Sequence, residues 1–264
     1  PSWWDSLADT DAYMARIRAA GPAYGLLQIN HGRNAGMMDF AAFDWTIGEP
    51  RVQDLWSWDT DLFELVNGRS RGNWEDERRD WFSWLDTGRR KVPTGTSDSH
   101  SRTSACGYAH TDVLLDTTDP TAVTPEALSA AVASGRVVVS GGLTLRAVLS
   151  AGGADADPGE TVAGASADLH VVVRAPSWIV PTVVRVWRNA EVVREEPVSG
   201  DGTDGLWHES TWTVEAPEGE DAWFVVEVEG TQGLGTAWGN AQPYGATNAF
   251  FLDVAGDGWD PPGR

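Results

Sequence analysis

Apolar and polar positions follow two different rhythms along this chain. In its first part, short apolar runs alternate with segments whose apolar residues recur every three to four positions. Thr10 caps a predicted helix through Tyr13, Met14 and Ile17 that stops at Gly21-Pro22. A strand over 25–30 follows, then an aromatic-rich loop from Met37 to Trp58, then a strand over 62–66. Asn73 reads as the cap of a helix over 74–86, with Trp74, Trp81, Trp84 and Leu85 on its apolar side and Gly88 ending it. A strand over 91–95 comes next. Thr124-Pro125-Glu126 starts another helix, with Pro at its first position, and Gly135 stops it. The run Arg136–Ser140 then reads as a buried strand. This alternation predicts an α/β architecture with mostly parallel strands over 1–145.

Beyond Gly141-Gly142 the rhythm changes. Asp168–Arg174, Thr182–Arg188, Glu191–Arg194, Thr211–Glu215 and Trp223–Glu229 are short, β-branched or aromatic, and separated by Gly, Asp and Pro turns. No helix is predicted there. The expectation for 146–264 is a small antiparallel β-sandwich of immunoglobulin-like form.

With 264 residues the chain is long enough for two modest domains, each with a real core. Net charge is −20, and residues 151–264 hold 19 acids against 5 bases. Such a surface repels phosphate backbones and anionic lipid, so nucleic acid is excluded as a partner. No apolar run reaches membrane-spanning length. The acidic second part is compatible with an extracytoplasmic or periplasmic location, although no compartment is specified. Cys106 is the only cysteine and excludes an intrachain disulfide; it reads as a lone buried thiol. Lys91 is the only lysine. Of the 15 Trp, residues such as Trp81, Trp84, Trp187 and Trp223 fall where a core would use them. Tryptophans exposed on loops would instead make a carbohydrate platform.

Candidate chemistry centres on Thr94-Gly95-Thr96-Ser97-Asp98-Ser99-His100. Residues i and i+2 of a strand share a face, so Asp98 and His100 are expected to point into one pocket. A carboxylate and an imidazole so placed are metal ligands or a catalytic acid/base pair; the same residues also suit a capped turn. The strand Gly25–His31 ends in Asn30-His31, and Asp61–Gly68 ends in Asn67-Gly68. Three strands thus deliver polar groups at their carboxyl ends, where α/β sheets build sites. His110, close to the Asp98 loop, is a further candidate to face a substrate. His170 and His208 read as structural, and the acids Asp253, Asp257 and Asp260 lack the spacing of a calcium loop.

Taken in order, several of these segments resemble the PHP (polymerase and histidinol phosphatase) metallohydrolase superfamily, in its CehA/McbA-like branch. They are Ile29-Asn30-His31, Phe63–Gly68, Gly95–His100, Cys106-Gly107-Tyr108 with Thr111, Ser134–Ser140 and Thr247–Gly258. The resemblance implies the C-terminal half of a distorted β/α barrel followed by a β-sandwich. It implies a hydrolase of phosphoesters or of carboxyl and carbamate esters, using water activated by a divalent transition metal (Zn, Mn or Fe). On this resemblance His31, Asp98 and His100 are metal ligands, Asp98 and His100 being catalytic. Asn30, Glu64, Asn67, Ser97 and His110 would support those ligands or face the ester substrate. The family's opening H-x-H strand has no counterpart, and no histidine precedes His31. The expectation is therefore a chain that lacks the N-terminal part of the site and is inactive alone. The contrasting expectation is a non-catalytic module binding glycans or a cell-envelope partner.

Overall fold

The computed structural model describes residues 10–33, 43–44, 49–50, 56–68, 74–101 and 106–263. The amphipathic segments form where their spacing demands. Helix α1 spans Thr10–Ala20 and short strands β1, β2 and β3 span Gln28–Ile29, Phe43–Asp44 and Glu49–Pro50. Strand β4 is Leu62–Asn67, helix α2 is Trp74–Asp86 and strand β5 is Val92–Thr96. Trp81, Trp84 and Leu85 of α2 are fully buried, and Phe63 of β4 meets the rings of Trp81 and Trp84 at 5.8 and 5.2 Å. The expected cap Asn73 lies outside the described residues. Strand β6 (Ala109–Val113) leads to helix α3 (Pro125–Ala133), whose Thr124 Oγ1 accepts the Ala127 N–H, and then to β7 (Val137–Gly141).

The remaining strands are β8 (Thr144–Ala151), β9 (Ala154–Ala156), β10 (Thr161–Ala163), β11 (Ser166–Arg174), β12 (Val183–Arg188) and β13 (Glu191–Pro197). They continue with β14 (Leu206–Glu215), β15 (Ala222–Glu229), a one-turn helix α4 (Gly235–Trp238), β16 (Tyr244–Thr247) and β17 (Phe250–Asp253). Strands β1, β4 and β5 make a three-stranded parallel sheet in the order β1-β4-β5. The large sheet runs β10-β17-β15-β16-β7-β6, with β12 and β13 branching from β15. A four-stranded antiparallel sheet has the order β14-β11-β8-β9. Among the described residues no helix is long and apolar enough to cross a membrane.

The expected α/β half-barrel with an appended sandwich is corrected by this topology. Strands hold 39% of the described residues and helices 19%, and among those residues the sheets are open and no closed barrel is present. Among the described residues, parallel pairing between strands is confined to β1-β4-β5 and β10-β17, beside one isolated parallel bridge between Gly142 and Tyr244. After β5 the chain does not continue a parallel series: β6 pairs antiparallel with β7, and β7 antiparallel with β16. A run such as Val137–Gly141, covered on both faces, has the same continuous apolar pattern whether its neighbours are parallel or antiparallel. The large sheet also crosses residue 145, because β6 and β7 lie in it beside β16 and β15. It is therefore not an immunoglobulin-like sandwich of the second part alone.

The two sheets nearest the candidate site meet at β5 and β6. Thr111 Oγ1 accepts the Gly95 N–H at 3.0 Å and lies 3.1 Å from Gly95 O, so a side chain does the work of a ladder bond. A Cβ on Gly95 would sit 2.8 Å from His110 O and 2.9 Å from Val139 Cγ1. Only glycine permits this approach.

Candidate functional site

Because β1, β4 and β5 are parallel, the segments that leave them emerge on one edge. His31 follows β1, Asn67 ends β4, and Ser97, Asp98 and His100 follow β5. Strand β5 stops at Thr96, so Asp98 and His100 do not share a strand face as their spacing suggests. Asp98 instead takes a left-handed backbone conformation, φ 45°, and the turn brings His100 Nε2 to 2.7 Å from Asp98 Oδ1. The two side chains meet by a different route from the one predicted. His31 is also left-handed, φ 36°. Two of the five described non-glycine residues with positive φ are thus on this edge, a conformation that costs energy outside glycine.

Glu64 organises the edge from below. It is 1% exposed, yet each carboxylate oxygen is engaged. Oε1 accepts the Thr96 hydroxyl of β5; Oε2 accepts the His31 N–H at 2.5 Å and the Asn67 side-chain amide at 2.9 Å. One carboxylate therefore ties the turn after β1, the end of β4 and the end of β5. A register shift between Glu64 and Val66 in the β4–β5 ladder accompanies this arrangement. Glu64 and Asn67 act on position, and neither is free to reach a substrate through the oxygens and amide so used.

Two further acids hold the same turn. Arg33 donates to both carboxylate oxygens of Asp80 at 2.8 and 2.6 Å, and its backbone N–H bonds to Glu77. Burial pushes Glu77 up to about 8, reinforced by the nearby charge of Glu64. Burial pushes Asp80 up to about 7, with Arg33 opposing it. Sequence reasoning did not single out Glu77, Asp80, Arg33 or Thr96. The signal lay in α2: Glu77, Trp81 and Trp84 follow helical spacing, so Glu77 falls in the apolar stripe with Asp80 beside it.

The other expected residues are more dispersed. Asn30 is exposed and its Oδ1 accepts the Gln28 side-chain amide at 2.7 Å. Ser97 is half-buried, with Ser99 Oγ 3.3 Å from its hydroxyl. His110 stands on β6, with Nδ1 3.1 Å from both Gly107 O and Tyr108 O and Nε2 3.4 Å from Asp112. The Asp112 contact raises its pKa against the opposing effect of burial. Cys106 is exposed, not the buried thiol expected. Asp253 uses its two oxygens on the N–H groups of Gly256 and Gly258, closing a turn. His208 is buried against Trp212, and His170 lies on β11 near Glu209.

The donor set can be tested against a divalent metal. Tetrahedral sites take three or four protein ligands at about 2.0–2.3 Å. Asp98 and His100 supply two groups that face each other, and no set of three or more His, Cys, Asp or Glu converges among the described residues. All five histidines and the cysteine are within those residues. The described residues therefore do not fit a metal ion by themselves. What the pair can do unaided is orient an imidazole with a carboxylate at an open edge: the His100 side chain is 80% exposed.

No family profile matches the chain, and no curated protein matches it. Among solved structures, the crystal structure of an engineered protein is 16% identical, over 42% of this chain and 20% of that one, with a TM-score of 0.25. The match takes in only a fifth of that protein's length and carries no argument about fold or function.

Proposed function

We propose that this chain serves in the hydrolysis of small-molecule esters, phosphoesters or carboxyl and carbamate esters, at the edge where β1, β4 and β5 end. The observation that carries the reading is the 2.7 Å contact between Asp98 and His100. Asp98 orients the ring and offsets the charge it gains; His100 takes the proton of an attacking water and returns it to the leaving oxygen. The ordered motifs that resemble PHP-type metallohydrolases support the same reaction class. The described donors fall short of a metal shell, so this proton transfer is assigned to the two side chains alone.

The test is hydrolysis of para-nitrophenyl phosphate and para-nitrophenyl acetate by wild type, Asp98→Ala and His100→Ala. Each protein is assayed after chelation and again with added Zn²⁺, Mn²⁺ or Fe²⁺. Turnover should fall at least about a hundredfold in both variants, and chelation should leave the wild type unchanged. Turnover that depends on added metal would transfer the chemistry to a metal ion held through Asp98 and His100. Equal turnover in all three proteins would remove this edge as the site.

One observation favours a second reading, a glycan-binding surface. Trp178 is 49% exposed and stacks on Trp238, with ring centroids 6.0 Å apart and planes at 29°. An open indole face suits the apolar face of a sugar ring. Saturable quenching of tryptophan fluorescence by chito- or cello-oligosaccharides, lost in Trp178→Ala, would establish it; no quenching would dismiss it.

A further inference from the structure

The turn that presents Trp178 also forms one wall of a cavity that the hydrolytic reading does not use. Thr144, Arg174, Pro176 and Asp204 line this cavity, of about 310 Å³, at the end of β11. The Ala175 N–H donates to Gly205 O at 2.9 Å, which sets Arg174 and Asp204, the residues just before them, side by side. Arg174 also stands opposite Thr144 in the β8–β11 ladder. Pro176 O accepts the Ile179 N–H at 2.9 Å and so closes the turn under Trp178. Pro176 and Trp178 are two residues apart, so their Cα atoms lie within about 7 Å. Gly142, on the same cavity wall, would carry a Cβ 3.1 Å from Ile179 and 3.4 Å from Leu234. Those two residues adjoin Trp178 and the one-turn helix of Trp238, so cavity and indole pair share their supports.

The charged groups of the cavity are uncommitted. Arg174 and Asp204 are both exposed, and among the described residues neither side chain makes a hydrogen bond or an ion pair, with each other or with a third group. Other turn acids are spent on backbone N–H groups: Asp201 on Thr203, Asp119 on Thr121, and Asp253 on Gly256 and Gly258. Asp204 holds a left-handed conformation, φ 53°, between Gly202 and Gly205, and its carboxylate caps nothing.

These two charges cancel, and that narrows the ligand. An anion drawn to Arg174 meets Asp204, and a cation drawn to Asp204 meets Arg174. The cavity therefore suits a neutral group that offers donors and acceptors together. Neighbouring sugar hydroxyls do so: one donates to the carboxylate while the next accepts from the guanidinium. The C–H face of a pyranose in turn covers an open indole.

We infer that this cavity is a subsite for one pyranose unit of a neutral glycan, whose hydroxyls Arg174 and Asp204 hold while the adjoining unit lies on Trp178. The volume falls at the low end of ligand pockets, about 300–1,000 Å³, and admits a single unit. The inference rests on the glycan-binding reading of Trp178 and names the groups that orient the ligand there.

The test is calorimetric titration of the full chain with chitotriose and with cellotriose, beside Arg174→Gln, Asp204→Asn and Trp178→Ala. Asn tolerates the left-handed conformation, so Asp204→Asn keeps the turn. Wild type should bind at least one of the two saccharides, and Trp178→Ala should abolish that binding. Arg174→Gln and Asp204→Asn should each weaken it about tenfold, the scale of one hydrogen bond to a charged group. Glu220→Gln, an exposed acid in the turn between β14 and β15, should leave it unchanged. Asp204→Asn carries the comparison if Arg174→Gln does not fold. Binding that is lost in Trp178→Ala but intact in both charge variants overturns the subsite and leaves the indole platform standing. Equal weakening by Glu220→Gln also overturns the subsite. Absence of binding by wild type removes the platform and the subsite together.

Discussion

Arg78 Nη1 lies 2.6 Å from Glu227 Oε1, and this contact joins α2 to β15 of the large sheet. The guanidinium sits 4.6 Å from the Trp74 ring and 4.4 Å from the Trp187 ring. Trp187 Nε1 donates to the other Glu227 oxygen at 3.0 Å. Burial pushes the Glu227 carboxyl up, and Arg78 pulls it back. Removing one partner leaves the other charge buried. Arg78→Met is expected to lower the unfolding free energy by about 3–5 kcal/mol, read from urea titration. The pair Arg78→Met with Glu227→Gln should cost less than the single change. A double variant worse than Arg78→Met would mean that packing, not charge, holds this junction.

Acid should stabilise the fold through α2. Glu77 rises from 4.5 in an unperturbed chain to about 8, and Asp80 from 3.8 to about 7. The folded state therefore holds more protons than the unfolded state between those values. The stabilisation is fully present below the unfolded values and is lost as pH rises through about 7 to 8. Glu77→Gln keeps an acceptor for the Arg33 N–H and removes the ionisation. Its stability advantage over wild type should grow by on the order of 2 kcal/mol between about pH 5 and pH 9. Parallel stability curves for the two proteins would show that Glu77 does not titrate in this window.

Glu64→Gln retains one acceptor oxygen where three donors now converge. Thr96 keeps a partner in one amide orientation, or His31 and Asn67 keep theirs in the other. A loss of about 1–3 kcal/mol is expected in thermal or urea denaturation. Ester turnover should fall with it, because the turn after β1 and the end of β5 lose their common tie. Full stability and full turnover in Glu64→Gln would make the carboxylate dispensable.

Local periodicity carried much of the fold. Helix α2 occupies 74–86 as its Trp81, Trp84 and Leu85 stripe and Gly88 require, and α3 begins after Thr124 with Pro125 in its first turn. Strand direction was not legible. Val137–Gly141 looks the same beside parallel or antiparallel neighbours, and its partners on β6 and β16 are set by pairings that no short window contains. Strand β1 shrinks to Gln28–Ile29, although an apolar run over 25–30 suggests more. At the site, the D-x-H spacing did identify two residues that touch. It misjudged the cause, since a left-handed Asp98 and not a strand pleat unites them. Glu77 and Asp80 were overlooked because charged residues on a helix usually face water, whereas here Arg33 reaches in to meet them.

Gly95→Ala tests the junction of the two sheets. The added methyl would meet His110 O and Val139 Cγ1 at under 3 Å, so β5 must move away from β6. Overpacking of this kind costs about 1–3 kcal/mol. Amide exchange should quicken at Gly95 and at β6 while the β11–β14 ladder remains protected. Uniform exchange changes across both would place the strain elsewhere.

The position of β7 has a consequence for how the chain is made. Its neighbour β6 is close in sequence, but β16 arrives about a hundred residues later. On the ribosome, Val137–Gly141 leaves the exit tunnel with one side of its ladder open and waits for Tyr244–Thr247. During that wait an apolar strand edge is available to any neighbouring nascent chain. Slower release of the segment that follows β7 is therefore expected to lower the protein's soluble yield, and chaperone occupancy over that interval to raise it.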